Sequence, residues 1–213
     1  MATTTLIEDF LSLEKPKIVD SIQRELDSGK DPFAILEESQ RAMEEIGKKF
    51  QSGEYFIAEL IYASEIFKAI SPMIQGKIAD SAGQKKFFGS IVFGTPKGDL
   101  HDLGKNIVIT FMKANGFEVH DLGVDVPPIK FIEKIRETKA NIIAMSGLIT
   151  PVFFAMKSVN DLLRENGLRE KTYVIVGGPI LSELVVKKIG ADAFGRDPVE
   201  GVNLCKAYIT YHK

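Results

Sequence analysis

The sequence predicts a bundle of about four helices followed by an α/β domain built on a parallel sheet, and three observations carry that prediction. Over residues 1–77 apolar residues recur at helical spacing and no strand-like run occurs. From residue 87 onward, short apolar runs alternate regularly with helical segments. Between the two lies the polar stretch QGKIADSAGQKK, residues 75–86, with a glycine toward each end, which reads as a linker. The expected boundaries are therefore a helical cap at 1–77, a linker at 78–86 and an α/β domain at 87–213.

In the first half, Ile18, Ile22 and Leu26 form one stripe, and Leu36, Met43, Ile46 and Phe50 form a second. Phe56, Leu60, Ala63, Phe67, Ile70 and Ile74 alternate steps of four and three, which puts one apolar seam along a long helix. Asp31-Pro32 reads as an N-cap with proline at the first helical position, while Gly29 and Gly53 fall where turns are needed. Seams of this kind must pack on one another, so the half is read as an antiparallel bundle.

In the second half, the runs FFGSIVF, FEVHDLG, NIIAMSG, TYVIVGG and ADAFG are the predicted strands. Gly116 stops the helix after the first of them, near whose start lies Gly104, and Thr150-Pro151 opens a later one. Ser182 opens another and Gly190 closes it, and Asp197-Pro198-Val199-Glu200 resembles a capping box opening the last. Strand and helix in alternation imply a Rossmann-like (flavodoxin-like), doubly wound, five-stranded parallel sheet with helices on both faces. Ligands of such sheets bind beyond the carboxyl ends of the strands, so the loops after residues 93, 146 and 177 are expected to converge.

Of the 213 residues, charged side chains of both signs are interspersed and the net charge is −2, so there is no electrostatic footprint for nucleic acid or a membrane surface. No apolar run approaches a membrane span and the N-terminus lacks a secretory pattern, which predicts a cytoplasmic protein. The single cysteine, Cys205, excludes a disulfide or thiolate cluster within the chain and reads as an inert core residue.

The densest chemistry is GDLHDLGKN, residues 98–106, in the loop after the first strand. A dinucleotide site fails on spacing, because Gly94, Gly98 and Gly104 do not form G-x-G-x-x-G. Asp99 and His101 suit acid–base chemistry, with Ser146 at the end of the third predicted strand as a conceivable nucleophile, but no G-x-S-x-G elbow surrounds it. As a metal site, His101 would ligate through one ring nitrogen while Asp99 accepts a hydrogen bond from the other. One histidine cannot hold a free ion, and His120 and His212 have no ligand-like spacing to it. A macrocycle would supply the equatorial donors and leave one axial position. The remaining reading is a helix-capping or surface histidine.

Asp99-x-His101-x-x-Gly104, followed by Ser146-x-Leu148 and Gly177-Gly178, resembles the signature of cobalamin-binding domains, with all three elements at predicted strand ends. The resemblance implies that His101 is the lower axial ligand of cobalt, displacing the cofactor's own base (base-off, histidine-on), and that the nucleotide tail is buried beside the sheet. It implies Asp99 as the hydrogen-bond partner of His101, Ser146 as an extension of that relay, Gly104 as clearance for the tail, and Gly177 and Gly178 as its slot. Thr150, and Gly98, Leu100, Asp102 and Leu148 beside these residues, join the implied cofactor contacts, Asp102 as a helix cap. AFGRDP, residues 193–198, would cover the nucleotide base.

Within that family, IGKKFQSGEYFIAELIYASEIFKA is similar to the bundle segment of methionine synthase and of the small corrinoid proteins of methanol, methylamine and betaine methyltransfer. The similarity spans nearly the whole chain and implies that Phe50 and Ile57 shield the upper face of the corrin, although Phe56-Ile57-Ala58 stands where relatives often have F-L-P. It implies a cofactor-carrying component of a methyltransferase system, with methylcobalamin as the loaded state. A substrate:corrinoid methyltransferase would load the methyl group, a second methyltransferase would pass it to tetrahydrofolate or coenzyme M, and a reductive activase would restore the cofactor. A homodimer is compatible with the chain. The alternatives are a cobalamin-dependent sensor or regulator, and a mutase subunit, which the bundle disfavours.

Overall fold

The structure is a computed structural model that describes residues 5–80 and 87–212. The chain divides into two compact units, Met1–Lys86 and Phe87–Lys213.

Among the described residues the first unit holds four helices: α1 (Leu6–Leu11), α2 (Lys15–Asp27), α3 (Pro32–Gln51) and α4 (Ile57–Asp80). A capping box closes the start of α1, where the Thr5 hydroxyl accepts from Glu8 N–H and the Glu8 carboxylate accepts from Thr5 N–H. Asp31 caps α3 by accepting from Phe33 N–H, with Pro32 at the first helical position. Gly29 and Gly53 both lie at φ near +80°, where the chain reverses after α2 and α3. The expected stripes are buried: Ile18, Ile22 and Leu26 on α2, Leu36, Met43 and Ile46 on α3. Each such side chain contributes roughly 1.5–3 kcal/mol by leaving water.

Two expectations for α4 are corrected. Leu60, Ala63, Phe67, Ile70 and Ile74 form the buried seam, but Phe56 is 70% exposed. It precedes the first helical residue, so its side chain does not follow the helical phase. The helix also runs past residue 77 to Asp80, because Gly76 is tolerated within it and Ile78 continues the buried seam. The rest of the expected linker, residues 81–86, lies outside the described residues.

In the second unit five strands alternate with helices: β1 (Gly89–Gly94), α5 (Leu103–Ala114), β2 (Phe117–Asp121), α6 (Pro128–Thr138), β3 (Ile142–Ser146), α7 (Val152–Glu165), β4 (Tyr173–Gly177), α8 (Glu183–Ile189), β5 (Ala193–Gly195) and α9 (Pro198–Tyr211), with a 3₁₀ turn at Arg169–Lys171. All pairs are parallel and the strand order is β2-β1-β3-β4-β5. Ile91, Val92 and Phe93, with Ile142, Ile143, Ala144 and Met145 and Val174, Ile175 and Val176, are buried, as central strands covered on both faces require. Alternate residues face opposite layers: Val92, Ile143, Met145, Val174 and Val176 pack with α6, α7 and α8, while α5 and α9 contact each other on the other layer.

The predicted caps hold with two differences. Ser182 accepts from Val185 N–H at the start of α8, and Gly190 ends that helix at φ +79°. Asp197 accepts from Val199 and Glu200 N–H at the start of α9. The Glu200 carboxylate, however, accepts from Arg196 N–H, one residue before the cap, so the box is only half formed. Pro151 occupies the cap position of α7 with no side-chain capping bond.

β1 and β3 are neighbours, while the chain leaves them toward opposite edges of the sheet. That reversal opens a crevice beyond their carboxyl ends, the place where sheets of this topology bind ligands.

Candidate cofactor site

Three loops meet at that crevice, as expected. The loop after β1 carries Asp99, whose Oδ2 accepts from Leu148 N–H at 2.6 Å and Ile149 N–H at 3.4 Å in the loop after β3. Gly147 N–H in turn donates to Gly177 O at the end of β4, at 3.0 Å.

The other oxygen of Asp99 belongs to His101. Oδ1 accepts from His101 backbone N–H at 2.9 Å and lies 2.6 Å from His101 Nδ1. Asp99 is fully buried while the His101 side chain is 52% exposed. Burial alone would raise the Asp99 pKa, but the Leu148 N–H, the His101 N–H and the imidazole together hold it below the ordinary carboxylate value. A carboxylate so placed accepts only, so Nδ1 is the donor of this bond and Nε2 is the ring nitrogen that Asp99 does not engage. Thr95, itself buried, fixes the next link by donating from Oγ1 to His101 O at 3.1 Å.

This arrangement suits one axial bond. Among the described residues, no group of three or more His, Cys, Asp or Glu side chains could hold a metal ion. His120 pairs with Ser90 and Glu118, and His212 with Tyr208 O. Leu100 and Leu103, which bracket His101 in sequence, are 72% and 69% exposed, and Ile149 is exposed beside the Asp99 anchor. A Cβ built on Gly104 meets nothing within 4 Å, which leaves its side of the first turn of α5 open.

Several predicted residues stand differently from their expected roles. Asp99 Oδ2 accepts from the Leu148 and Ile149 N–H groups, and among the described residues Ser146 makes no hydrogen bond to it. Asp102 is the first residue before α5, but with backbone angles of −116° and −27° its side chain forms no cap, and only its carbonyl serves the helix, accepting from Asn106 N–H. Gly178 is required by packing: its φ is +141° and a Cβ there would lie 1.9 Å from Gly147 O. A Cβ on Gly177 would sit 3.2 Å from Gly195 O on the neighbouring strand. Thr150 is exposed and its carbonyl accepts from Phe153 N–H. Gly98, exposed at φ +94°, makes the turn that presents Asp99. In the first unit, Phe50 is half-buried near the end of α3 and Ile57 is exposed at the start of α4.

Sequence reasoning missed two groups that hold the loop. Lys105 Nζ, on a side chain only 2% exposed, lies 2.8 Å from both Asp121 oxygens and 2.9 Å from Asn106 Oδ1, tying the first turn of α5 to the end of β2. Asp125 lies in the loop after β2 and bonds the loop after β1. The signal available was weak: an Asp at the carboxyl end of a strand, and a lysine on a helical position facing inward.

Models of B12 binding domains match residues 89–203 and, for a second such model, residues 3–74. The chain is 40% identical over 177 residues to a dimethylamine corrinoid protein of Methanosarcina barkeri, covering 83% of each chain. It is 36% identical over 183 residues to trimethylamine corrinoid protein 1 of Methanosarcina mazei, covering 85% of each. Among solved structures, a cobalamin-binding protein from Desulfitobacterium hafniense DCB-2 matches with a TM-score of 0.76 at 33% identity, over 95% of this chain and 96% of that one. A chain of the methanol:cobalamin methyltransferase complex from Methanosarcina barkeri matches with a TM-score of 0.82 at 26% identity, over 96% of this chain and 78% of that one.

Proposed function

The chain belongs to the family of methyltransferase corrinoid proteins, and from that membership we propose that it carries a methyl group on a cobalamin ligated by His101. The observation that carries the assignment is the imidazole itself, half-exposed and with Nδ1 tied to a buried carboxylate.

When bound, the corrin's cobalt supplies the centre that accepts the methyl group and gives it up. The chain's own residues hold and tune it. His101 Nε2 is the axial donor, replacing the cofactor's own base. Asp99 keeps the proton on Nδ1 and makes Nε2 the more basic nitrogen, and the Leu148 N–H holds the carboxylate still. Gly104, where a side chain would meet nothing nearby, would leave space for the nucleotide tail, and the exposed Leu100 would contact the cofactor. Ser146, Thr150, Gly177 and Gly178 complete the crevice. Phe50 and Ile57, at the α3–α4 turn, would shield the methyl-bearing face, and the linker that follows α4 would let that cap move aside.

The names of the relatives point to dimethylamine or trimethylamine as the class of donor, so the partner that loads the carrier is a methylamine:corrinoid methyltransferase. The same proposal includes a second methyltransferase delivering to coenzyme M or tetrahydrofolate, a reductive activase, and a cytoplasmic setting. The test is the absorption spectrum of the purified protein given cobalamin, with His101→Ala alongside. Wild type is expected to give a base-off, histidine-on spectrum that the variant lacks. A wild type that takes up no cobalamin, or a variant with the same spectrum as wild type, overturns the assignment.

A further inference from the structure

Outside its own sequence, the loop that presents His101 is held by the segment between β2 and α6, and within that segment by Asp125. Its Oδ1 accepts from Gly98 N–H at 2.8 Å, and its own N–H donates to Asp99 O at 3.0 Å. These two backbone groups lie immediately before and after the Asp99 side chain, so the residue that aims His101 is clasped on both sides. Around the clasp the two segments run together: Thr95 N–H donates to Gly123 O, Val126 N–H to Thr95 O and Lys97 N–H to Val126 O, with a bridge between Pro96 and Val126. To make both bonds Asp125 adopts φ +53°, one of three non-glycine residues with positive φ among the described residues. Aspartate tolerates that conformation better than most residues, but it is costly enough to mark a position where the surrounding contacts dictate the backbone.

We propose that Asp125 is a positioning residue for the axial ligand: it fixes the turn at Gly98–Asp99 and thereby the reach of His101 Nε2. Its hydrogen bonds go to the backbone of Gly98 and Asp99 and not to the imidazole or the Asp99 carboxylate, so it acts through the backbone. This rests on the reading that His101 ligates cobalt. Groups that orient a metal ligand from behind typically change affinity by 10–100-fold when removed.

Two variants separate the acceptor from the backbone conformation. Asp125→Gly keeps the positive φ at no steric cost but deletes the acceptor, whereas Asp125→Asn keeps both an acceptor oxygen and tolerance of that conformation. The expected results are a roughly tenfold weaker cobalamin affinity and a reduced histidine-on fraction in Asp125→Gly, with Asp125→Asn close to wild type. In the cofactor-free wild type, NMR should detect a scalar coupling across the hydrogen bond from Gly98 N to Asp125 Cγ, a measurement that does not depend on either variant folding. An Asp125→Gly protein with an unchanged histidine-on fraction and affinity, or no such coupling in wild type, overturns the role of Asp125 while leaving the cobalt assignment standing. A wild type that is itself not histidine-on overturns both.

Discussion

Asp99 is a buried carboxylate whose hydrogen-bond donors outweigh the cost of its burial. Replacing it with asparagine leaves one side of the amide unable to accept and strands the Leu148 N–H or the imidazole, at a cost of about 1–3 kcal/mol at pH 7 by urea denaturation. Because the folded-state pKa lies below the ordinary 3.8, the stability supplied by the charged form is complete above that value and is lost as pH falls through the lower one. The gap between wild type and Asp99→Asn should therefore close below pH 3.8. Cys205 offers an opposite test: burial pushes its thiol up to about 12, so at pH 8 a thiol reagent should modify it only at the rate at which the chain unfolds. Immediate labelling of the native protein would contradict its place in the core.

Among the elements, the glycines separate packing from cofactor clearance. Gly178→Ala must push a Cβ into Gly147 O and should cost on the order of 3 kcal/mol with or without cobalamin. Gly104→Ala places its Cβ in open space within the first turn of α5 and should stabilise the cofactor-free protein by up to about 1 kcal/mol. The same change should weaken cobalamin binding if the tail passes that face; unchanged affinity would remove Gly104 from the site. The two glycines looked alike in the sequence, because the atom that forbids a side chain at Gly178 belongs to another strand's loop. The same physics governs the rest. Asp99 and His101 were legible as a pair because they sit two residues apart, and the Ser182 and Asp197 caps because capping is local. Leu148 joins Asp99 across 49 residues, Lys105 joins Asp121 across 16 and Gly98 joins Asp125 across 27, and no spacing rule reaches that far. Phe56 was misplaced because helical periodicity was extended one residue beyond the start of α4.

At the level of the whole molecule, the change from helical spacing to alternating strand and helix marks two units. The proposed function gives the two different tasks: the sheet unit would hold the cofactor and the helical unit would shield it. Phe50→Ala combined with Ile57→Ala should then speed photolytic loss of the methyl group from bound methylcobalamin several-fold without changing the lower-ligand spectrum. A change in the lower-ligand spectrum would place these residues elsewhere. The claim on which both units depend is that the lower ligand of cobalt is the His101 imidazole. It is tested most directly by electron paramagnetic resonance of cob(II)alamin bound to protein labelled with ¹⁵N only at histidine. A cobalt signal whose nitrogen splitting becomes a doublet, and which His101→Ala abolishes, is the predicted result; a triplet that persists in the labelled wild type shows that the cofactor's own base is still bound and contradicts it.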